Sequence, residues 1–188
     1  MRRFRVRSRI SVSRNMMTYL FGLSVLIPAM TFSAQPAKKA VSWDDWQFLL
    51  GEWIGERGGQ PGQGIGTFAF SLELQNTILV RKNHAEYPAT KDRPAFSHDD
   101  LMVVHQEAGK PTQAIYFDNE GHVINYTVGF SEDKNGVTFL SELMPSAPRF
   151  KLTYTKGEKD TVLIKFEIAS PGKPEEFSPY LEAKAKRK

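Results

Sequence analysis

Thr67-Phe68-Ala69-Phe70-Ser71-Leu72-Glu73-Leu74 alternates apolar residues with small or polar ones at a period of two. A β-strand sends successive side chains to opposite faces. This octet therefore puts Phe68, Phe70, Leu72 and Leu74 on one buried face, with Thr67, Ala69, Ser71 and Glu73 opposite. Phe150, Leu152 and Tyr154 repeat the pattern, as do Val162, Ile164, Phe166 and Ile168. Between them lie the runs Ile78–Glu86, Leu101–Gln106, Ala114–Phe117, His122–Phe130 and Val137–Glu142. Turn signals at Gly58–Gly64, Ala108–Pro111, Asp118–Gly121, Asn135-Gly136 and Lys156–Asp160 separate the runs. With Glu52–Arg57 in front and Tyr180–Lys188 behind, the chain reads as about ten short strands in sequential hairpins. That predicts an all-β, up-and-down antiparallel barrel, because closure removes the edges a long meander exposes. A barrel of about eight strands is just filled by its side chains, so about ten are expected to enclose a cavity.

The stretch before the first strand follows another period. Ser42 is placed to N-cap a short helix, Asp45 stands three residues on, and Gly51 stops it. Trp46, Leu49 and Leu50 form its apolar face.

The chain has 188 residues, of which 12% are aromatic and 24% charged, which is globular rather than disordered composition. It has no cysteine. Disulfide frameworks, thiolate metal sites and a Cys nucleophile are excluded. All six charged residues before Gln35 are arginines (Arg2, Arg3, Arg5, Arg7, Arg9 and Arg14). Taking those six from the 25 basic residues leaves 19 against 21 acidic ones, which turns a formal charge of +4 into −2. The basic excess belongs to the leader, so no nucleic-acid partner is expected.

The leader has the three parts of an export signal: an arginine-rich start, the apolar run Tyr19–Phe32 broken by Pro28, and the small pair Ser33-Ala34. A membrane-spanning helix needs about 20 apolar residues, more than this run supplies. The expected organisation is a signal peptide over 1–34, cut after Ser33 or Ala34, a linker over 35–42 and a single barrel domain over 43–188. The mature protein is then periplasmic or secreted, with no stable membrane anchor after cleavage. An uncleaved anchor is the alternative.

Phe48-Leu49-Leu50-Gly51-Glu52-Trp53-Ile54-Gly55-Glu56 resembles the opening of the lipocalin-like (calycin) barrels. It is most similar to the G-x-W-x-G start shared by nitrobindin-type domains and a large uncharacterised bacterial family of exported barrels. The stretches Asn83–Pro88 and Ile115–Tyr126 also resemble that uncharacterised family. The resemblance implies that Trp53 plugs one barrel end beneath a basic side chain of the last strand, with Gly51 and Gly55 letting backbones approach. Arg187 is the expected basic partner and Arg149 the fallback. Nitrobindin-type domains bind haem through a His near the chain end. Here the last histidine is His122, nothing from Tyr126 to Lys188 supplies an imidazole, and Arg57 stands where a third glycine belongs. No haem, and no other cofactor, is expected.

His84 and Glu86, two apart on a strand, share a face and form half a metal site, an acid–base pair, or a plain surface pair. His105 on a later strand is a further candidate. His98, Asp99 and Asp100 read as a solvated approach to a strand after the loop Pro88–Pro94. No G-x-S-x-G, phosphate loop or calcium loop is present. No catalytic or metal residue is assigned. The groups expected to orient a ligand inside the barrel are His84, Tyr116 and Tyr126, with Arg81 and His105 in reserve and Phe70 on the apolar wall. The expected function is an exported barrel that binds a small, largely apolar molecule. The alternatives are an enzyme using His84 and Glu86, or a structural envelope protein whose barrel is filled.

Overall fold

The structure, a computed structural model, describes residues 42–56, 64–107 and 109–188. The expected signal peptide, most of the linker and Arg57 lie outside these residues. Ten strands follow one another: β1 (Gly51–Gly55), β2 (Ile65–Glu73), β3 (Ile78–Tyr87), β4 (Phe96–His105), β5 (Gln113–Asp118), β6 (Val123–Phe130), β7 (Gly136–Ser141), β8 (Arg149–Lys156), β9 (Thr161–Ala169) and β10 (Phe177–Arg187). Each is antiparallel to its sequence neighbours, and β1 closes on β10 with Trp53 opposite Arg187. The closed up-and-down barrel is what period-two alternation and hairpin turns dictate. Among the described residues no helix is long and apolar enough to cross a membrane.

One end of the barrel is sealed by Trp43, Trp46, Leu49 and Trp53, all buried. The expected α-helix is only a 3₁₀ turn over Asp44–Trp46, with Trp43 at the N-cap position and Ser42 one residue outside it. The spacing explains the difference. Trp43, Trp46 and Leu49 recur every third residue, which aligns them on one edge of a three-residue-per-turn helix and not of a 3.6-residue one. Trp43 Nε1 donates to Asn76 O at 2.8 Å, and Trp46 meets Phe130 edge-on at 5.1 Å.

Trp53 is held on three sides. Its Nε1 donates to Leu49 O at 2.8 Å, its ring stacks on Phe68 at 6.0 Å, and Arg187 Cζ lies 4.4 Å from its centroid. The Arg187 guanidinium also donates to Leu50 O and Phe48 O, fastening the last strand to the segment before β1. Gly51 is required here: its φ is +105°, and a Cβ would sit 2.9 Å from Arg187 Nη1. Gly55 allows close backbone approach, since a Cβ there would lie 3.3 Å from Gly66 O. The fallback Arg149 is elsewhere, paired with Glu175 at 2.5 Å.

Near this sealed end the interior is packed with aromatic rings. Phe68, Phe70, Phe139 and Tyr154 lie with centroids 5.4–6.2 Å apart, mostly tilted or edge-to-face, and are buried with Val137, Val162, Met102 and Val104. Leu74, expected on the interior face with Phe68, Phe70 and Leu72, is exposed instead. It opens the β2–β3 turn, where Leu74, Gln75 and Asn76 all have positive φ and end the alternation.

Candidate functional site

Inward-facing residues follow strand parity. On β3 the register sets Leu79 opposite Val104, Arg81 opposite Met102 and Asn83 opposite Asp100, so Arg81 and Asn83 face in and His84 faces out. On β4 the same parity turns Asp100, Met102 and Val104 inward and His105 outward. Tyr116 on β5, Tyr126 on β6 and Phe70 on β2 face in. Of the residues expected to orient a ligand, the barrel therefore gathers Arg81, Tyr116, Tyr126 and Phe70. It leaves His84 and His105 on the outer surface, because a one-residue step reverses the face.

His84 makes an outer-surface cluster. Its Nδ1 lies 2.7 Å from Asp99 Oδ1 and its Nε2 3.4 Å from Glu86 Oε1. Asp99 first, and Glu86 after it, raise the imidazole above its ordinary 6.5. Among the described residues no group of three or more His, Asp or Glu side chains is placed to hold a metal. The raised value fixes a sign. The ion-paired imidazolium stabilises the fold fully below pH 6.5, and that contribution is lost as pH climbs through the raised value. An NMR titration should place the His84 midpoint above 6.5, and Asp99→Asn should move it down. A wild-type midpoint at or below 6.5 would contradict the pairing.

The polar centre of the barrel is Arg81 with Asp100, both buried, Nη1 to Oδ1 at 2.5 Å. The second carboxylate oxygen accepts from Asn83 Nδ2 at 2.9 Å and lies 3.5 Å from His98 Nε2. His98 links this pair to the barrel mouth: Nε2 is 3.1 Å from Tyr116 Oη and Nδ1 is 3.0 Å from Glu120. The Tyr116 hydroxyl also donates to Asp118 Oδ2 at 3.3 Å. Asp118, its side chain only 4% exposed, accepts from the His122 and Glu120 backbone N–H groups and pairs with the His122 ring at 2.8 Å. Burial pushes its carboxyl up, but the His122 contacts outweigh that and hold it below the usual range. Burial pushes the Asp100 carboxyl up, against the opposing pull of Arg81, His98 and Asn83.

Two atoms in this centre lack a partner: Arg81 Nε and Tyr154 Oη. The guanidinium carbon lies 5.8 Å from the Phe68 ring centroid and 5.9 Å from that of Tyr154, whose phenol oxygen faces it as a weak acceptor. Burial pushes the Tyr154 phenol up to about 12, with Arg81 opposing. Burial above all, with Asp100 and Asp118 behind it, also raises Tyr116 and Tyr126. All three hydroxyls are donors at neutral pH.

His98 and Asp100, expected as a solvated approach, are thus inward members of a strand that begins at Phe96, five residues before the apolar run at Leu101. The signal was present. Carrying the alternation of Met102 and Val104 back by two residues puts Asp100 on the buried face. Tyr154 was already on the apolar face of its strand, with nothing local to mark its hydroxyl as unpartnered.

At the mouth, inward-facing Tyr116, Ile124, Phe150 and Phe166 are half-buried, whereas the inward residues near the Trp53 end are buried. Two recesses lie elsewhere. One of about 430 Å³ runs along the outer wall past Ser131, Thr138 and Thr153. The other, of about 290 Å³, lies between Phe48, Lys156 and Arg187 at the sealed end.

No family model matches the chain, and no curated protein matches it. Among solved structures it is similar to the crystal structure of Rv2717c from M. tuberculosis, with 13% identity over 78% of this chain and 96% of that one and a TM-score of 0.49.

Proposed function

We propose that this protein is an exported barrel that binds one small, largely apolar molecule. The ligand enters at the mouth between Tyr116, Ile124, Phe150 and Phe166 and sets its one polar end toward Arg81 and Tyr154. The observation that carries the reading is the charged pair beside a Tyr154 hydroxyl that has no acceptor, in an interior otherwise built of aromatic and aliphatic side chains. A buried unpartnered polar group costs about 1–3 kcal/mol, and a barrel serving only as a spacer gains nothing in return. Ligand sites commonly pair apolar walls with a few polar groups. The arginine-rich leader supports export.

Titrating the purified protein with Nile red tests the reading. Emission should rise and shift to the blue at one site, with a Kd of about micromolar order. Native mass spectrometry of protein from its own host should find a retained small molecule. Silence in both measurements leaves a filled, structural barrel.

A further inference from the structure

We propose that the barrel interior selects neutral ligands carrying a hydrogen-bond acceptor, such as an ester, ketone or amide oxygen, and rejects carboxylates. This rests on the ligand-binding reading above and specifies its chemistry. The Tyr154 hydroxyl stays protonated and has no acceptor of its own, so it asks for an acceptor atom. An arginine in a binding site ordinarily invites an anion. This one does not, because its charge is already neutralised by Asp100 at 2.5 Å inside the same wall.

The approach to the site carries the same sign. An entering carboxylate meets Asp118 and Glu120 at the mouth and Asp100 beyond them. Facing those three acids are Arg81, His98 and His122, each already engaged by one of them. Three further cations near this end are already engaged. Arg149 is tied to Glu175, Lys151 to Glu167, and Arg93 lies over the Phe96 ring at 4.1 Å. Beside Arg81 a carboxylate would give up its hydration without gaining a free cation, since Asp100 already holds that charge. A neutral acceptor loses far less water and satisfies the Tyr154 hydroxyl, which otherwise has no acceptor.

Fluorescence titration of the full protein with dansylaminoundecanoic acid and its methyl ester compares two ligands that differ by that charge and one methyl group. At neutral pH the ester should bind at least about tenfold more tightly. Tyr154→Phe, which removes one donor and no charge, should weaken the ester by about threefold or more. Asp100→Asn keeps an acceptor for Arg81 and frees its positive charge, so the acid should gain on the ester by about tenfold. If Asp100→Asn does not fold, the wild-type comparison and Tyr154→Phe decide. An acid that binds wild type as tightly as the ester overturns the selectivity, as does an ester indifferent to Tyr154→Phe. Nile red binding with neither dansyl ligand bound also overturns it and leaves the binding reading intact. Failure of all three ligands overturns the binding reading itself.

Discussion

Trp53→Ala is expected to lower the unfolding free energy by about 3–5 kcal/mol, measured by chemical denaturation followed through circular dichroism. The indole is 1% exposed and lies where strand closure, the 3₁₀ segment and the last strand meet. Its removal opens a cavity beside Phe68, leaves Leu49 O without its donor at 2.8 Å, and strips the apolar floor from under Arg187. These losses share one site, so they act together and do not spread over independent contacts. Trp53→Phe separates them. It keeps most of the ring and loses the N–H, and should cost about 1–2 kcal/mol. Arg187→Met tests the lid alone. It leaves the indole buried while removing the bonds to Phe48 O and Leu50 O, and should fall between the two. A Trp53→Ala loss under about 1 kcal/mol would mean that the ring does not close the barrel end.

The architecture was legible because strand alternation and turn residues are local signals. Phe68 and Phe70, or Val162 through Ile168, announce a buried face within one stretch of chain, and the Asn135-Gly136 pair ends a strand with its own chemistry. The plug behind Gly51 was legible for a different reason, since the G-x-W-x-G opening resembles that of lipocalin-like barrels and the resemblance implied it. The site was harder. A strand's phase is fixed only by knowing which residues are inside, and His84, Arg81 and Glu86 carry no apolar neighbours that settle it. The structure resolves the phase through register, with Asn83 set against Asp100 and Arg81 against Met102. Charge also misled. A His-Asp-Asp triplet after a proline-rich loop looks solvated, and what makes Asp100 a core residue is an arginine 19 positions earlier in the chain. No local window contains that pairing.

The second large effect follows from that pair. Asp100→Ala should cost about 3–5 kcal/mol, because it leaves a buried guanidinium with no counter-ion. Arginine cannot shed its proton to escape, so the penalty stands across the accessible pH range. Arg81→Met should cost less, because the abandoned Asp100 carboxyl, already pushed up by burial, can take a proton. That escape route has a pH signature. A carboxyl whose folded pKa exceeds its unfolded one holds its proton more tightly in the native state. Relative to wild type, the Asp100 contribution in the Arg81→Met variant should therefore be fully present below the ordinary carboxylate value of 3.8 and be lost as pH rises from there through the raised value. Asp100→Ala should lack this slope. Combining Arg81→Met with Asp100→Leu removes both charges and fills much of their volume with apolar atoms. The double variant should recover most of the loss, giving a coupling of about 2 kcal/mol or more in the double-mutant cycle. Additive single effects would show that the two side chains do not compensate each other. The inward arginine would then retain a charge free to hold an anion, and the selection of neutral ligands would lose its physical basis.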